Sequence, residues 1–160
     1  RQGGAREVRL AATVEEGLRL ASARRTAFSA LARLAPTVVL EDVTVPRSEL
    51  ARMVAYVQEV GERHQVKVGT FGHMGDGNLH PTFLCDERNE EEMARVEKAM
   101  EEVFSFAVEL GGTITGEHGV GLAKKFFLPK QLGPVGMDVL KRIQIAFDPV
   151  GILNPGNMFD

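Results

Sequence analysis

Three of the four histidines in this 160-residue chain lie in glycine-rich segments, and those segments hold the residues best suited to chemistry. The densest reads Gly72-His73-Met74-Gly75-Asp76-Gly77-Asn78-Leu79-His80, and a second reads Thr115-Gly116-Glu117-His118-Gly119. With Asp76-Gly77 as the central pair of a tight hairpin turn, Gly75 pairs with Asn78 and His73 pairs with His80. Both imidazoles then emerge on one face, with Cβ atoms about 4.5–5.5 Å apart. That suits two nitrogens converging on one metal ion at about 2.0–2.1 Å. Glu117 is the candidate third ligand, and a His2Glu set leaves a coordination position open for chemistry. Glu117-His118 also offers a ligand and a base in one dipeptide. The small residues around it allow close backbone approach. On the residues alone, a second reading stays open, in which each strand histidine is an ordinary, partly buried, hydrogen-bonded side chain.

Several other polar residues read as structural. Asp76 is a turn former. Glu90-Glu91-Glu92 is a solvated helix start that favours the helix dipole. Met93 and Met100 read as core, and His64 follows a helix without comparable neighbours.

The elements that must position these residues follow from periodicity. Residues 14–33 have helix composition and end before Pro36. Thr37 to Val45 is dense in β-branched residues and reads as a strand. Leu50, Met53, Val54 and Val57 recur at helical spacing, giving a helix over 48–63. Val66 to His73 and Leu79 to Leu84 are the hairpin strands, with Val66, Val68, Leu79 and Phe83 on the core face and the histidines pointing away from it. Asn89 and Glu92 form a capping-box pattern ahead of a helix over 90–110, closed by Gly111-Gly112. Thr113 to Thr115 reads as a short strand, and 137–147 as a last helix. The hairpin makes the sheet at least partly antiparallel. The expected fold is an α+β sandwich of a largely antiparallel sheet with helices on one face, in one domain of ferredoxin-like type.

Bulk properties exclude several classes. Hydrophobic residues make up 44% and charged residues 26%, as in ordinary globular domains. The net charge of -3 gives no basic surplus for nucleic acid. No apolar run approaches the roughly 20 residues of a membrane span. Cys85 is the only cysteine, so an internal disulfide is impossible and a reducing, cytoplasmic setting is expected. A start at Arg1 rather than Met is expected for part of a longer polypeptide.

The segments GHMGDGNLH, TGEHGVG with Lys124 following, and AFDPVGILNPGNMFD resemble the C-terminal domain of FAD-linked oxidases, as do ASARRTAFSALARLAP and EDVTVPRSEL. Within that family the similarity points to the flavin subunit of bacterial glycolate oxidase and to D-lactate and D-2-hydroxyglutarate dehydrogenases. The resemblance runs from about Ala5 onward. It implies a substrate-binding cap domain whose FAD sits mainly in a separate N-terminal domain that is absent here, so that this chain alone is inactive. It implies a divalent metal, best matched by zinc, on His73, His80 and Glu117, with His118 as the base. It implies Arg24 on the substrate carboxylate and Thr82 in the substrate pocket. For the tail Asn154-Pro155-Gly156-Asn157 two readings stay open, Asn154 facing the flavin or a plain turn. Ala21 stands where relatives commonly carry Trp. Thr37 to Leu40 offers no counterpart of the lysine that hydroxyglutarate enzymes use, which favours a small substrate, glycolate or lactate. Implied partners are the FAD domain and further oxidase subunits, including an iron-sulfur subunit, in the cytoplasm and at most peripheral to the inner membrane. Two other classes stay open on the residues alone, a self-contained His2Glu metallohydrolase and a non-catalytic interaction domain.

Overall fold

The computed structural model describes residues 7–159, apart from the side chains of Ala23 and Arg24. Its elements in chain order are α1 (Val14–Arg25), α2 (Ala27–Leu31), β1 (Thr37–Leu40), β2 (Val43–Thr44), α3 (Leu50–His64), β3 (Lys67–His73), β4 (Asn78–Cys85), α4 (Glu90–Glu109), α5 (Gly121–Lys124) and α6 (Leu128–Phe147). The expected α+β sandwich with an antiparallel sheet is the observed architecture.

Strand β4 is the centre of the sheet, and all eight of its residues are buried. It pairs antiparallel with β3 on one side and with β1 and β2 on the other. The register is the same for β1 (Leu40↔Thr82) and β2 (Val43↔Leu79), so the two behave as one strand interrupted at Glu41-Asp42. This puts Asp42 opposite His80.

The two faces of β4 divide by the pleat. Leu79, Phe83 and Cys85 join the core, where α3 contributes Met53, Val57 and Val60 and α4 contributes Val96, Ala99, Val103, Phe104 and Ala107. Both helices present these residues at three- and four-residue spacing, which makes one buried stripe. Asn78, His80 and Thr82 occupy the other face. There α2 covers one corner, with Leu31 packed onto Gly69. His64 holds α3 to α4 through Glu102 (2.8 Å).

The helix boundaries show local chemistry at work. Asn89 caps α4 by accepting the Glu92 N–H (3.1 Å), but Glu92 accepts from Asp86 N–H (3.0 Å) rather than from Asn89, so only half of the capping box forms. The expected helix over 14–33 breaks at Thr26. The last helix starts earlier than expected, at Leu128, and carries a kink at Gly133 (φ 63°) before Pro134. Pro134 has no N–H for the ladder, so the turn before it must open.

The expected strand over 113–115 reduces to a single bridge, Thr44↔Thr113. Past that bridge Ile114 N–H goes to the Gln131 side-chain oxygen (2.9 Å), and the N–H groups of Gly116, Glu117 and His118 go to a side-chain carboxylate rather than to a neighbouring strand. The chain reaches the bridge through Gly111 (φ 77°) and Gly112, whose N–H groups close α4 onto Val108 and Ala107. A Cβ on Gly112 would lie 2.1 Å from the Thr44 carbonyl oxygen, whereas one on Gly111 would meet nothing. Gly112→Ala is therefore expected to cost about 2–3 kcal/mol by overpacking, and Gly111→Ala only about 1 kcal/mol of left-handed strain. Urea unfolding of the two variants checks this, and equal losses would contradict the close approach of Gly112 to β2.

Candidate metal and acid-base site

The site forms where the β3–β4 hairpin meets the 115–119 loop. Asn78 pairs with His73 and Phe71 pairs with His80, so Met74 to Gly77 make a four-residue connection. The tight two-residue turn expected from Asp76-Gly77 does not form, and His73 and His80 are diagonal rather than directly opposed. The difference moves the register by two residues, which leaves every side chain on its expected face. Both imidazoles therefore still converge, with ring centroids 5.5 Å apart.

Glu117 meets them from the loop. Its Oε1 lies 3.3 Å from His73 Nε2 and 3.1 Å from His80 Nε2. One ligand atom from each of the three residues lies within 4.8 Å of the others. For bonds of about 2.0–2.1 Å to a tetrahedral metal, ligand atoms stand about 3.3 Å apart, so these separations suit a shared divalent ion. Burial and the neighbouring His118 push the His80 pKa down, with Glu117 opposing. The ring is thus neutral near pH 7, the form that coordinates metal. Its Nδ1 is buried with no hydrogen-bond partner, so the usual carbonyl or carboxylate behind a ligating histidine is not provided by the described residues.

His118 stacks on His80, with centroids 5.1 Å apart and planes 16° from parallel. Its Nδ1 faces Asp42 Oδ1 at 3.8 Å, beyond hydrogen-bond length. Beside the three side chains is a cavity of about 390 Å³ lined by Thr44, His73, Asp76, Asn78, Gly116 and Glu117.

Asp42 is the residue that the sequence reading passes over. It is fully buried. Its Oδ2 accepts the backbone N–H groups of Gly116 (2.6 Å), Glu117 (2.6 Å) and His118 (3.1 Å). Its Oδ1 accepts from Lys124 Nζ (2.5 Å) and from the Thr115 hydroxyl (3.1 Å). Lys124 is itself buried, and also reaches the Asp42 carbonyl (2.9 Å) and Glu41 Oε2 (3.1 Å). Burial works to raise the Asp42 pKa, but the Lys124 ammonium and the three backbone N–H groups outweigh it and hold the carboxyl well below the usual carboxylate range. Glu41 ends on the other side, with burial pushing it up against the pull of the same lysine. The available signal was an acid inside the β-branched run Thr37 to Val45, since a charge buried in a strand needs a partner.

The remaining candidate residues are placed as follows. Thr82 is on the histidine face but fully buried, with its hydroxyl on the His80 carbonyl (3.2 Å). Arg24 is in α1, and its side chain lies outside the described residues. Asn154 is exposed in the tail, with φ at 48° and its carbonyl accepting from Asn157 in a turn. The structure brings together His73, His80, Glu117 and His118.

An α+β domain with a His2Glu cluster on a glycine-rich hairpin belongs to a definable class. Residues 1–158 match the family of FAD linked oxidases, C-terminal domain, and the chain belongs to that family. It is 54% identical to glycolate oxidase subunit GlcD of Bacillus subtilis, over 99% of this chain and 34% of that protein. It is 35% identical to glycolate oxidase subunit GlcD of Escherichia coli strain K12, over 97% and 31%. It is 40% identical to D-lactate dehydrogenase of Anaerostipes hadrus, over 78% and 27%. The chain thus spans about a third of the length of these relatives or less.

The Asp42 carboxyl yields a pH prediction. Its folded pKa is depressed, so its stabilisation is complete above the unfolded value of about 3.9 and is lost as pH falls toward the folded one. The urea midpoint of the native chain should exceed that of Asp42→Asn by a constant amount above about pH 5 and by progressively less below about pH 4. A difference that widens on acidification would contradict the ionised, hydrogen-bonded carboxylate.

Proposed function

We propose that this chain is the substrate-binding, metal-holding part of an FAD-dependent 2-hydroxyacid dehydrogenase that converts glycolate or D-lactate to the 2-oxoacid. The observation that carries this reading is the convergence of His73, His80 and Glu117 with His118 stacked beside them. The relatives named as glycolate oxidase subunits and a D-lactate dehydrogenase support the substrate class. The two thirds of those proteins beyond the match leave room for a flavin domain in the same polypeptide. An exposed apolar surface supports a docked domain as well. Val135, Val139 and Ile143 stand exposed along α6, and Phe147, Val150, Ile152 and Leu153 continue the patch. Such surfaces mark interaction sites, and in this reading the flavin domain covers this one.

In the proposed reaction, His73, His80 and Glu117 hold a divalent ion, with zinc best suited to the donor set. Bound there, it supplies Lewis-acid polarisation of the substrate hydroxyl. His118 takes the hydroxyl proton. Because Nδ1 faces Asp42, Nε2 is the nitrogen turned to the substrate. Arg24 clamps the substrate carboxylate and fixes its orientation. Thr82 backs the pocket behind His80, and Asn154 faces the flavin once the domains are joined. FAD supplies the chemistry of the hydride leaving C2. Further oxidase subunits, among them an iron-sulfur subunit, complete the assembly in the cytoplasm, at most peripheral to the inner membrane. Among the described residues, no helix is long and apolar enough to cross a membrane.

The roles of ligand and base separate by mutation. His73→Ala should abolish calorimetric zinc uptake by the chain, while His118→Ala should leave zinc affinity nearly intact. In the full-length enzyme, His118→Ala should lower turnover in dye reduction by about 10²–10⁴-fold, the usual worth of a general base. A His118→Ala protein that loses zinc as badly as His73→Ala would make His118 a ligand and leave the reaction without its base.

A further inference from the structure

We propose that Asp42, neutralised by Lys124, is a positioning residue that sets the Glu117–His118 loop in register with His80. The proposal rests on the metal reading above and adds to it a residue outside the ligand set. Glu117 needs such a device. Its side chain is 51% exposed and sits on a loop without strand partners beyond the Thr113 bridge. A ligand free to wander in that way loses conformational entropy each time it binds.

The backbone is held instead. The three consecutive N–H groups of Gly116, Glu117 and His118 all point at Asp42 Oδ2. The next one, Gly119 N–H, goes to the Thr115 hydroxyl (2.9 Å), which in turn donates to Asp42. Successive backbone N–H groups curled in this way form an anion-binding nest, and here its anion is the chain's own carboxylate. The loop's far end returns to the same point, since Lys124 donates to both the side chain and the carbonyl of Asp42. Gly116 permits the approach, because a Cβ there would lie 2.5 Å from Thr44 Oγ1 and 2.7 Å from Asn78 Nδ2.

Location gives the carboxylate its reach over the site. Asp42 stands opposite His80 across the ladder, as the common register of β1 and β2 requires. One rigid strand pair therefore carries both a ligand, His80, and the anchor for the loop that bears Glu117 and His118. Buried hydrogen-bond partners that orient ligands in this way are typically worth 10–100-fold in metal affinity.

The test uses Asp42→Asn and the milder Thr115→Val, with far-UV circular dichroism to verify folding. Thr115→Val removes only the hydroxyl link, and so covers the case in which Asp42→Asn does not fold. Two readouts are made on this chain, namely calorimetric zinc affinity and the NMR proton shifts and hydrogen exchange of the Gly116, Glu117 and His118 amides. The expected result is zinc binding weakened about 10–100-fold in Asp42→Asn and less in Thr115→Val. The three amides should shift upfield and lose protection, while those of β4 stay put. A folded Asp42→Asn chain whose loop amides shift but whose zinc affinity stays within about two-fold of the native chain overturns the positioning role, as does, where Asp42→Asn does not fold, a Thr115→Val chain with shifted amides and unchanged affinity. If the native chain takes up no zinc, the metal reading falls. The amides still decide the anchoring claim, which is overturned if they fail to move in either variant.

Discussion

The buried pair of Asp42 and Lys124 is the contact on which the geometry of the site depends. A carboxylate with no exposure and an ammonium almost equally buried are expensive to remove from water. The cost is offset because every remaining acceptor position on Asp42 is filled, by three backbone N–H groups and a hydroxyl. Removing Lys124 leaves two buried acids, Glu41 and Asp42, without their shared cation, and removing Asp42 leaves the three loop N–H groups without their acceptor. The same network ties the β1–β2 junction to the 115–119 loop and α5, 73 to 82 residues further along the chain.

Around that pair, the β3–β4 hairpin supplies direction and the loop supplies Glu117, the third member of the cluster. The pleat sends Leu79 and Phe83 into the core under α3 and α4, and sends His80 the other way. Core packing and ligand placement are therefore one constraint, and a shift of β4 by one residue would lose both. His118 then stacks on His80, beside the cluster of His73, His80 and Glu117.

Much of this was legible in the sequence for a simple reason. The placement of His73 and His80 on one face depends on parity alone, so it survives an error of two residues in the turn. The turn itself was misjudged because Asp76-Gly77 is a strong two-residue hairpin signal, yet Met74 to Gly77 form a longer connection in which Asp76 N–H returns to the His73 carbonyl (2.9 Å). Glu117 was found through its glycine-rich surroundings. Asp42 was not, because a carboxylate that serves backbone N–H groups has no spacing pattern to betray it. The bonds that converge on it span 73 to 82 residues of sequence. The strand expected over 113–115 stops at Thr113 because Ile114 N–H turns to the Gln131 side-chain oxygen, and the chain beyond it is tied to Asp42.

X-ray absorption at the zinc edge of the zinc-loaded chain reads out whether His73, His80 and Glu117 share one ion. A shared site gives a first shell of nitrogen and oxygen atoms at about 2.0–2.2 Å, with the outer-shell scattering of two imidazoles and no sulfur. Replacing Glu117 with Gln should alter the oxygen contribution while both imidazoles remain. A spectrum showing sulfur at about 2.3 Å, or a shell of water without imidazole scattering, would contradict it.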